Sequence, residues 1–582
     1  MQITPFPFDK AGHALLAKKK KSADWSVVYL ISNDKELYIG ETQNALARFS
    51  QHLENKDRRR LKKIHVIFDE EFNKSAILDI EQNLIQLCGA DRKFSLQNMN
   101  GGQSCKHDYY QREKYLNKIS EIWPKLRKEK LADHSLEELR NSDLFKYSPY
   151  SSLTPEQNEA SDAILLDMME KLQANEKGVA LLEGGAGTGK TIVLINLLFK
   201  LIHASSFEVS PSGDEEEEGY AKVMHEIRKY LSSQGIASKG KKSLKIAYVC
   251  PMTSLRKTMT KVFQGTGNGL KGSLVKGPFD VLDEEYDVVL VDEAHRLARR
   301  KNISFMGAFD EKAMKLGLDP KEADQLQMIL RKARYAVLVY DPKQSVKGSD
   351  IPSAQFRKDL EGLPKKETRL FTQMRCEGGE EYVSYLERIL SCQQAGFEEV
   401  EDYDFRLYED VERMVQDIKE LDGKIGLCRN AAGYSWKWVS KPYLKKGYDY
   451  VVSHGLSDIH IQGHDYVWNM TNQEFILSKN AVNEIGCIHT LQGYDLNYVG
   501  LIFGEEIDYD PAKNEIVIDR AKFFDSNVKS GSDEETLRSY ILNSYKVIMT
   551  RGIKGCYVYA CNPNLRDYLK RFIKEKENGK AQ

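Results

Sequence analysis

One stretch limits the possible fold of this chain more than any other, the sequence VALLEGGAGTGKTIVLINLLF at residues 179–199. A short apolar run, Val179 to Leu182, leads into a glycine-rich turn, and an apolar segment with helical periodicity follows. This order of strand, loop and helix is typical of a phosphate-binding loop in an α/β sheet. The alternative is a glycine-rich turn that binds nothing, and the Lys-Thr pair at the end of the loop disfavours it.

The loop carries the residue types that polyphosphate binding needs. Glycines allow backbone N–H groups to close around phosphates at the N-terminus of a helix. Lys190 would reach the β and γ phosphates, and the Thr191 hydroxyl would ligate Mg²⁺. We therefore expect ATP and Mg²⁺ as cofactors. The glycines predicted to form the cradle are Gly184, Gly185, Gly187 and Gly189.

The composition excludes several classes of protein. The 582 residues include 85 Lys and Arg against 86 Asp and Glu, so the chain has no overall basic field and any nucleic-acid surface must be local. Nine cysteines without a CxxC pair argue against a secreted disulfide framework and favour a cytoplasmic location. No apolar run reaches about 18 residues, so we expect no membrane partner. The length predicts about three or four domains.

The N-terminal segment predicts a β-hairpin. The runs VVYLI at 27–31 and LYI at 37–39 predict two strands, and the polar residues between them predict a turn. Tyr29 and Tyr38 lie one on each strand, and Gly40 follows the second run.

Two helices are predicted after the hairpin. In ETQNALARFSQHL, Arg48 and His52 are four residues apart and share a helix face. In AILDIEQNLIQLC, Glu81 lies at the border of an apolar stripe that includes Ile77 and Leu84. A carboxylate is unusual at such a border unless it has a function.

With these motifs the N-terminal segment resembles the GIY-YIG nuclease family. The resemblance assigns two paired tyrosines, an arginine, a histidine, a metal-binding glutamate and a late asparagine within LQNMNGG. The first motif reads VVY here, but only its tyrosine carries a functional group, so we expect activity to be retained. The matching residues are Tyr29, Tyr38, Arg48, His52, Glu81 and Asn98.

These residue types fit the cutting of a phosphodiester. The reaction needs a general base, a cation over the developing negative charge and a metal at the leaving oxygen. A tyrosine, Arg48 and Mg²⁺ bound by Glu81 would supply them. The sequence leaves open which tyrosine is the base, and His52 could assist. A fold that binds nucleic acid without cutting it is the alternative.

Less specific features surround this segment. Basic runs at 18–21 and 58–63 are either solvated faces or phosphate contacts. Residues 101–150 are charged and predict a helical connector. Residues 203–243 form a polar insert that we expect to be a mobile surface excursion. Gln157 lies upstream of the phosphate loop, where helicase-like ATPases place an amide that reads adenine.

Two further strands end in polar residues of the kind an ATPase needs. VVLVDEAHR ends in Asp292, which would hold Mg²⁺, and in Glu293, which would polarise the attacking water. AVLVYDPKQSV ends in Asp341 and Gln344, and a glutamine there could sense the γ-phosphate.

The second half of the chain repeats the alternation of strands and helices. Arg375 in LFTQMRC and Arg551 in VIMTRGIKG are candidates for arginines that reach the γ-phosphate from a second lobe. Gln492 and Gly493 in HTLQGYD precede another apolar strand and are candidate nucleotide-site residues. The alternative for each arginine is a plain exposed charge.

Residues 151 to about 570 resemble the Schlafen-type superfamily 1 DNA/RNA helicase-like domain, including the CRNAAGYSWKW segment. The Trp436 and Trp438 side chains within it, beside several lysines, are either base-stacking or core residues. The resemblance implies an α/β protein with a small α+β GIY-YIG domain and two RecA-like lobes that contain parallel sheets. The predicted domains are 1–100 (nuclease), 101–150 (connector), 151–360 (first lobe) and 361–582 (second lobe).

The resulting hypothesis is an ATP-dependent nucleic-acid motor coupled to a Mg²⁺-dependent endonuclease. The resemblance further implies a role in prokaryotic defence against phages. The motifs are shared by motors on DNA and on RNA, and of the two we expect DNA as the ligand. A homo-oligomer or a defence protein is the expected partner. One alternative is ATP binding that gates the nuclease without translocation. Others are a nucleotide-sensing adaptor whose nuclease fold is silent, and a small-molecule kinase, which the second lobe disfavours.

Overall fold

The structure is a computed structural model, and its described residues fall into two compact units. The first unit contains residues 1–169, 191–244 and 259–274, and the second contains residues 170–190, 245–258 and 275–582. The structure describes residues 1–56, 58–98, 109–151, 153–203, 215–233, 244–266, 269–301, 303, 305–345, 348–373, 376–470, 475–491, 494–530 and 532–576.

The first unit begins with a small α+β domain. Its elements are β1 (Gln2–Pro7), α1 (Lys10–Ala17), β2 (Val27–Ser32), β3 (Glu36–Thr42), α2 (Ala45–Glu54), β4 (Lys63–Phe68), α3 (Lys74–Asp91) and β5 (Ser95–Leu96). The strands form one sheet in the order β1-β4-β2-β3-β5, antiparallel except for the β3/β5 pair. The predicted hairpin is confirmed, although β3 continues beyond Gly40 to Thr42. Fully buried apolar side chains such as Val27, Ile31 and Phe49 form the core.

Helix α3 carries the candidate metal ligand and has well-defined ends. The Asn73 side chain accepts a hydrogen bond from the Ala76 backbone N–H and so caps the helix. Arg92 ends the helix in the left-handed conformation, with φ of 58°. The predicted apolar stripe, including Ile77 and Leu84, is completely buried.

Five helices follow: α4 (Arg112–Asn117), α5 (Ile119–Lys128), α6 (Leu136–Arg140), α7 (Asp143–Lys146) and α8 (Pro155–Gln173). The first four lie in the predicted connector, and they pack on α3. The Arg112 guanidinium pairs with Asp79 at 2.9 Å, and the Gln86 side chain donates to the Phe145 carbonyl at 3.1 Å. The described part of the connector is therefore an extension of the α+β domain.

The next segment contains a sheet of six parallel strands. Its elements are β6 (Gly178–Gly184), α9 (Lys190–His203), α10 (Glu215–Ser233), β7 (Ile246–Val249), α11 (Thr253–Thr266), β8 (Val275–Lys276), β9 (Tyr286–Val291), α12 (Met306–Lys315), α13 (Gln325–Lys332), β10 (Ala333–Tyr340), α14 (Ser353–Asp359) and β11 (Lys365–Leu370). The strand order is β11-β6-β10-β9-β7-β8. Strand β6 thus lies between β10 and β11, and the carboxyl ends of all three meet at one edge of the sheet.

A second sheet of six parallel strands follows. Its segment contains α15 (Gly379–Leu390), β12 (Asp404–Leu407), α16 (Val411–Ile425), β13 (Cys428–Ala432), α17 (Tyr448–Ser453), β14 (Ile459–Ile461), β15 (His464–Tyr466), β16 (Ile485–Gly486), α18 (Ile488–Leu491), β17 (Leu496–Phe503), β18 (Ile507–Asp510), β19 (Glu515–Ile518), α19 (Ser526–Lys529), α20 (Glu534–Met549), β20 (Gly552–Ala560), α21 (Pro563–Lys570) and β21 (Lys574–Glu575). The strand order is β16-β13-β17-β20-β12-β21. Both parallel sheets belong to the second unit, and together with the small α+β domain they confirm the predicted fold class.

One expectation for this part of the chain is wrong. The polar insert was expected to be a mobile excursion, but its residues 215–233 form helix α10. The side chains of Val223, Ile227 and Tyr230, spaced on one helix face, are buried. In the described parts of the chain, we find no helix with the length and apolarity that a bilayer crossing requires.

Candidate active sites

The hairpin of the α+β domain positions the first candidate residue, Tyr29. Tyr29 on β2 pairs with Gly40 on β3. A Cβ atom added at Gly40 would lie 2.3 Å from the Tyr29 hydroxyl oxygen, so the tyrosine ring crosses the strand where only glycine leaves room. The glycine is needed here for this close approach.

The Tyr29 hydroxyl is held by two candidate residues on α2. Arg48 Nε donates to it at 3.3 Å, and His52 Nε2 lies 2.7 Å from it. The other histidine nitrogen, Nδ1, contacts Nη1 of Arg58. A guanidinium group carries only donors, so Nδ1 must accept and the proton of neutral His52 lies on Nε2. His52 therefore donates to the Tyr29 oxygen and has no acceptor nitrogen left to take a proton from water.

The protonation states of these side chains follow from their burial. Burial, together with the neighbouring Arg58 and Arg48, lowers the pKa of His52 to about 2, so the imidazole is neutral near pH 7. Burial also raises the pKa of Tyr29 well above its usual range, and only 2% of the residue is exposed. Tyr29 is thus a neutral phenol whose oxygen accepts two hydrogen bonds.

Tyr38 has a different environment from Tyr29. It is only half-buried, and the two tyrosine rings have centroids 6.3 Å apart. The Arg58 guanidinium carbon lies 3.6 Å from the centroid of the Tyr38 ring, a cation–π contact. Arg58 thus joins Tyr38 to His52. The sequence indicated it only as a member of a basic run.

Glu81 on α3 faces a second carboxylate, that of Glu41 on β3. Glu81 is 9% exposed, and burial together with the charge of Glu41 raises its pKa to about 8. Glu41 itself pairs with Lys74 at 2.6 Å. A bound divalent cation would relieve both the burial of Glu81 and its repulsion by Glu41, so this donor set is suited to Mg²⁺. The sequence analysis missed Glu41, although it directly follows Gly40.

Asn98 is bound to the backbone of β3. Its side-chain oxygen accepts from the Ile39 N–H at 3.1 Å, and its amide donates to the Ile39 carbonyl at 2.8 Å. Ile39 lies between Tyr38 and Gly40, so the asparagine fixes the strand that carries both. This geometry makes Asn98 a positioning residue. A catalytic contact from Asn98 stays a prediction.

The second candidate site lies at the carboxyl end of β6, where the predicted phosphate loop begins. Gly187 and Gly189 adopt φ of 81° and 78°, the left-handed region that glycine favours. A Cβ at Gly184 would lie 2.6 Å from the Thr188 hydroxyl and 3.0 Å from the Leu370 carbonyl oxygen. A Cβ at Gly185, by contrast, would meet nothing within 4 Å. The loop therefore needs glycine at three of its four predicted positions.

Lys190 at the end of the loop is folded onto it. The Nζ atom donates to the carbonyls of Gly184 at 2.8 Å and Gly185 at 2.6 Å and lies 3.9 Å from Asp341. The ammonium is thus held beside the cradle in which phosphates would bind.

The acidic pair after β9 consists of a buried aspartate and a half-buried glutamate. Asp292 is fully buried and accepts a hydrogen bond of 2.6 Å from the Tyr248 hydroxyl. Glu293 adopts the left-handed conformation, with φ of 51°, and lies 2.9 Å from His295 Nε2. Burial would raise the pKa of Glu293, but the contact with His295 and the charges of Lys190 and Arg551 outweigh it and lower the pKa. Glu293 is therefore a carboxylate, as a residue that polarises water must be.

A chain of polar contacts runs from the first parallel sheet to the second. Gln344 donates to Asp341 at 2.6 Å, and Arg551 donates to the Gln344 side-chain oxygen at 3.3 Å. Arg551 lies between α20 and β20, is 2% exposed and also donates to the Tyr494 carbonyl at 3.4 Å. The structure thus brings together Lys190, Asp341, Gln344 and Arg551, which come from three separate stretches of the sequence.

Gln373 is a residue of this site that the sequence analysis missed. It follows β11, the other neighbour of β6, and its amide donates to the Ala186 carbonyl at 2.5 Å. A Cβ at Gly187 would lie 2.0 Å from the Gln373 side-chain oxygen, so the glutamine covers the middle of the phosphate loop. No local pattern marks it, because its position depends on the pairing of β11 with β6.

The roles predicted for several other residues stay predictions. Gln157 forms a capping box with Thr154: its side chain accepts from the Thr154 N–H at 3.0 Å, and the Thr154 hydroxyl accepts from the Gln157 N–H at 3.2 Å. Its role in reading adenine stays a prediction, as does the Mg²⁺ ligand role of Thr191, which follows Lys190 in the chain. Arg375, Gln492 and Gly493 lie outside the described residues.

Within the described residues, no group of three or more His, Cys, Asp or Glu side chains lies close enough to hold a metal ion. A Mg²⁺ ion at either site would therefore share its coordination between one or two carboxylates and the oxygens of phosphate and water, which is the usual mode for this ion.

Comparisons with known proteins agree with this geometry. Residues 177–562 match the family described as Schlafen group 3, DNA/RNA helicase domain, and residues 25–95 match the GIY-YIG catalytic domain. The Saccharomyces cerevisiae protein named Uncharacterized protein YPL245W is 27% identical over 456 residues, which is 72% of this chain and 91% of that protein.

Two solved structures show weaker similarity. The Pif1 helicase from Candida albicans is 9% identical with a TM-score of 0.25, over 72% of this chain and 99% of that one. Domain III of the Thermotoga maritima replication initiation protein DnaA is 13% identical with a TM-score of 0.19, over 47% and 87%. Neither score is high enough to carry weight, whereas the helicase-domain match alone spans about two thirds of the chain. The chain therefore belongs to the Schlafen group 3 DNA/RNA helicase family and carries a GIY-YIG catalytic domain at its N-terminal end.

Proposed function

We propose that this protein hydrolyses ATP to move along nucleic acid and cuts nucleic acid with its N-terminal domain in a Mg²⁺-dependent reaction. The observation that carries the proposal is the contact between Gln344, at the end of a strand of the first parallel sheet, and Arg551, before a strand of the second. A γ-phosphate held by Lys190 would lie beside this contact. Loss of the γ-phosphate on hydrolysis would change the attraction between the two sheets, and motors of this kind move by such changes.

The proposed roles in ATP hydrolysis follow from the charges at the site. Lys190 and Arg551 would stabilise the negative charge that develops on the transferred phosphoryl group. The carboxylate of Glu293, held by His295, would orient the attacking water and accept its proton. Mg²⁺, with Asp292 and Thr191 as its predicted ligands, would neutralise charge on the β and γ phosphates.

The proposed roles in cutting follow from exposure. Tyr38 is half-buried and Tyr29 is 2% exposed, so we assign contact with the attacking water to Tyr38. Tyr29, whose oxygen accepts hydrogen bonds from Arg48 and His52, would hold the Arg48 side chain in place. The exposed Arg48 guanidinium would bind a phosphate oxygen. Mg²⁺ held by Glu81 beside Glu41 would stabilise the leaving oxygen.

The ligand and the cellular role are proposed from the resemblance alone. DNA is favoured over RNA as the ligand, and defence against phages is the proposed role. A homo-oligomer or a partner protein in defence, and a cytoplasmic location, belong to the same proposal.

The test is to measure cutting and ATP hydrolysis in the same preparations. Labelled single- and double-stranded DNA and RNA are incubated with Mg²⁺, with and without ATP. We expect Glu81→Gln, which keeps the shape but removes the carboxylate, to lose cutting by at least roughly 10²-fold and to keep ATP hydrolysis. Lys190→Ala should lose ATP hydrolysis and keep cutting in the absence of ATP. Glu70→Gln, at an exposed ion pair with Lys21, is the matched control.

Other outcomes would count against parts of the proposal. Loss of ATP hydrolysis in Glu81→Gln would contradict the division of labour. A nuclease gated by ATP would use few ATP molecules per cut, whereas a motor uses many. If Tyr29→Phe flattened the dependence of the cutting rate on pH and Tyr38→Phe did not, the contact with the attacking water would have to be reassigned from Tyr38 to Tyr29.

A further inference from the structure

A surface at residues 437–454 lies outside both candidate sites. It belongs to a segment inserted between β13 and β16, two neighbouring parallel strands of the second sheet. The segment includes a 3-10 helix (Lys441–Lys446), α17 and the β14/β15 hairpin. It has its own small core, in which Val451, Val467 and Met470 are buried. The insert therefore has a small core of its own and also packs, through Ile459 and Trp468, on the core around Val411.

The surface carries three aromatic rings in a stack. The rings of Tyr443 and Tyr450 have centroids 5.9 Å apart and an interplanar angle of 29°. Tyr450 and His454, one helical turn apart, have centroids 4.0 Å apart at 22°. Tyr443 and Tyr450 are partly exposed and His454 is exposed. Nearly parallel rings at a surface offer flat faces on which a planar ligand could stack.

The same surface is positively charged. Residues 437–454 contain four lysines and one aspartate, a net charge of +3 in a chain whose total is −1. All four lysines, at 437, 441, 445 and 446, are exposed, and none forms an ion pair with any residue that the structure describes. Elsewhere on this unit, exposed lysines such as Lys315 and Lys343 pair with glutamates.

The lysines lie instead beside aromatic rings. Lys446 Nζ is 4.4 Å from the centroid of the Tyr450 ring and 3.2 Å from its hydroxyl, and Lys441 Nζ is 5.4 Å from the Trp438 ring. Lys437 Nζ is 5.9 Å from the ring of Phe524, which is 40% exposed. The lysines and the aromatic rings thus lie close to one another, and no described acid forms an ion pair with these lysines.

The structure also changes which aromatic residues are candidates for stacking. Trp436 and Trp438 are half-buried and pack against the core around Val411. The Trp438 ring meets Trp468 edge to face at 6.0 Å, and its Nε1 donates to the Ser440 hydroxyl at 3.1 Å. The core role that the sequence left open applies to both tryptophans, and the tyrosines hold the exposed positions.

We propose that the 437–454 surface binds single-stranded nucleic acid, with the lysines on backbone phosphates and the Tyr443–Tyr450–His454 rings stacked on bases. The inference rests on the proposed function, in that it assumes a nucleic-acid ligand, and it adds where and in which form that ligand binds. A duplex keeps its base faces covered by neighbouring bases, so it could use the lysines but not the rings. An acidic protein would likewise leave the rings unused.

The test measures binding of fluorescently labelled oligo(dT), oligo(rU), duplex DNA and poly-glutamate to the full chain by anisotropy. We expect Tyr450→Ala to weaken single-strand binding about 10-fold and Tyr450→Phe, which keeps the ring, to leave it unchanged. The double variant Lys445→Gln, Lys446→Gln should reduce the slope of log affinity against log salt by about 0.7 for each lysine. The double variant Lys574→Gln, Lys576→Gln has the same charge change elsewhere and should bind normally. ATP hydrolysis without nucleic acid should be unchanged in all of them, which shows that they fold.

The outcomes separate this inference from the proposed function. If the wild type binds neither oligo(dT) nor oligo(rU), the proposed function fails. If it binds them and the variants at Tyr450, Lys445 and Lys446 bind equally well, only this inference is overturned. It is also overturned if Tyr450→Ala weakens duplex or poly-glutamate binding as much as single-strand binding. A loss seen with only one of the two oligonucleotides identifies DNA or RNA as the ligand of the surface.

Discussion

The nucleotide site and the nuclease site are assembled in different ways. At the nucleotide site the side chains follow strand ends, and the backbone of the phosphate loop holds the lysine: Lys190 is bound by the Gly184 and Gly185 carbonyls. At the nuclease site the side chains hold one another, as in the contacts of Tyr29 with His52 and of His52 with Arg58. A site fixed by backbone geometry can be predicted from the spacing of its motifs. A site fixed by side-chain contacts includes residues that their spacing in the sequence does not identify.

The two sites also differ in how their key carboxylates are charged. The pKa of Glu293 is lowered despite its burial, because the contact with His295 and the charge of Lys190 favour the carboxylate. The pKa of Glu81 is raised to about 8 by burial and by Glu41. Neighbouring groups thus keep Glu293 ionised, whereas the neighbours of Glu81 do not offset its burial.

The largest effect is expected from removing the arginine that connects the two parallel sheets. Arg551→Ala should lower kcat of ATP hydrolysis by roughly 10³-fold, because the transferred phosphoryl group loses its second cation. Cutting in the absence of ATP should stay the same, if the two sites are as independent as their construction indicates. ATP turnover and cutting rates are measured side by side.

Because Arg551 is buried, a control for folding is needed. Arg551→Lys keeps a positive charge and most of the volume, and it should recover part of the rate but not the planar contact with Gln344. Arg571→Ala, at an exposed position on the same lobe, should behave as wild type. Equal loss of ATP hydrolysis and of uncoupled cutting in Arg551→Ala would mean that the variant is misfolded or that the sites are not independent.

The sequence predicts the parts of both candidate sites that depend on local pattern. Asp292, Glu293, Asp341 and Gln344 are recognisable as candidates because apolar strands end just before them, and the carboxyl ends of parallel strands lie at one edge of a sheet. The family of the N-terminal domain was identifiable because its motifs have fixed spacing along the chain.

Residues that depend on non-local pairing could not be found in this way. Gln373 reaches the phosphate loop only because β11 pairs with β6, and the sequence gives no sign of that pairing. The sequence shows Arg58 only as a member of a basic run, because its contact with His52 depends on the course of the chain after α2. Helix α10 was missed for another reason: its polar composition hid the helical spacing of Val223 and Ile227.

Gln373 offers an intermediate test, since it belongs to the nucleotide site but lies outside the motifs. Gln373→Ala removes the hydrogen bond to the Ala186 carbonyl, a loss of about 1 kcal/mol for the placement of the loop. We expect the KM for ATP to rise about fivefold with little change in kcat. Gln373→Glu should raise KM further, because it places a carboxylate beside both a carbonyl and the phosphates. The control is Gln416→Ala, on the exposed face of α16. A fall in kcat without a rise in KM for Gln373→Ala would instead give Gln373 a role in the chemical step.

The smallest effect concerns Arg58 and the pH dependence of the nuclease site. The pKa of His52 in the folded protein, about 2, lies below its usual 6.5. Only the unfolded chain takes up this proton as the pH falls through 6.5, so the free energy of unfolding decreases. Burial is the main cause and Arg58 the next. Arg58→Ala should therefore raise the pKa of His52 and lessen that decrease. We expect wild-type cutting to show no protonation step from His52 between pH 5 and 8. In Arg58→Ala, protonation of His52 should lower the cutting rate a few-fold at pH 5 relative to pH 8.

The control is Arg59→Ala, which removes the adjacent arginine, a donor to the Leu53 carbonyl. Histidine NMR signals followed over the same range, with His52→Asn to identify the resonance, test the cause directly. A His52 signal that already titrates near pH 6.5 in the wild type would show that the contact with Arg58 does not keep the imidazole neutral.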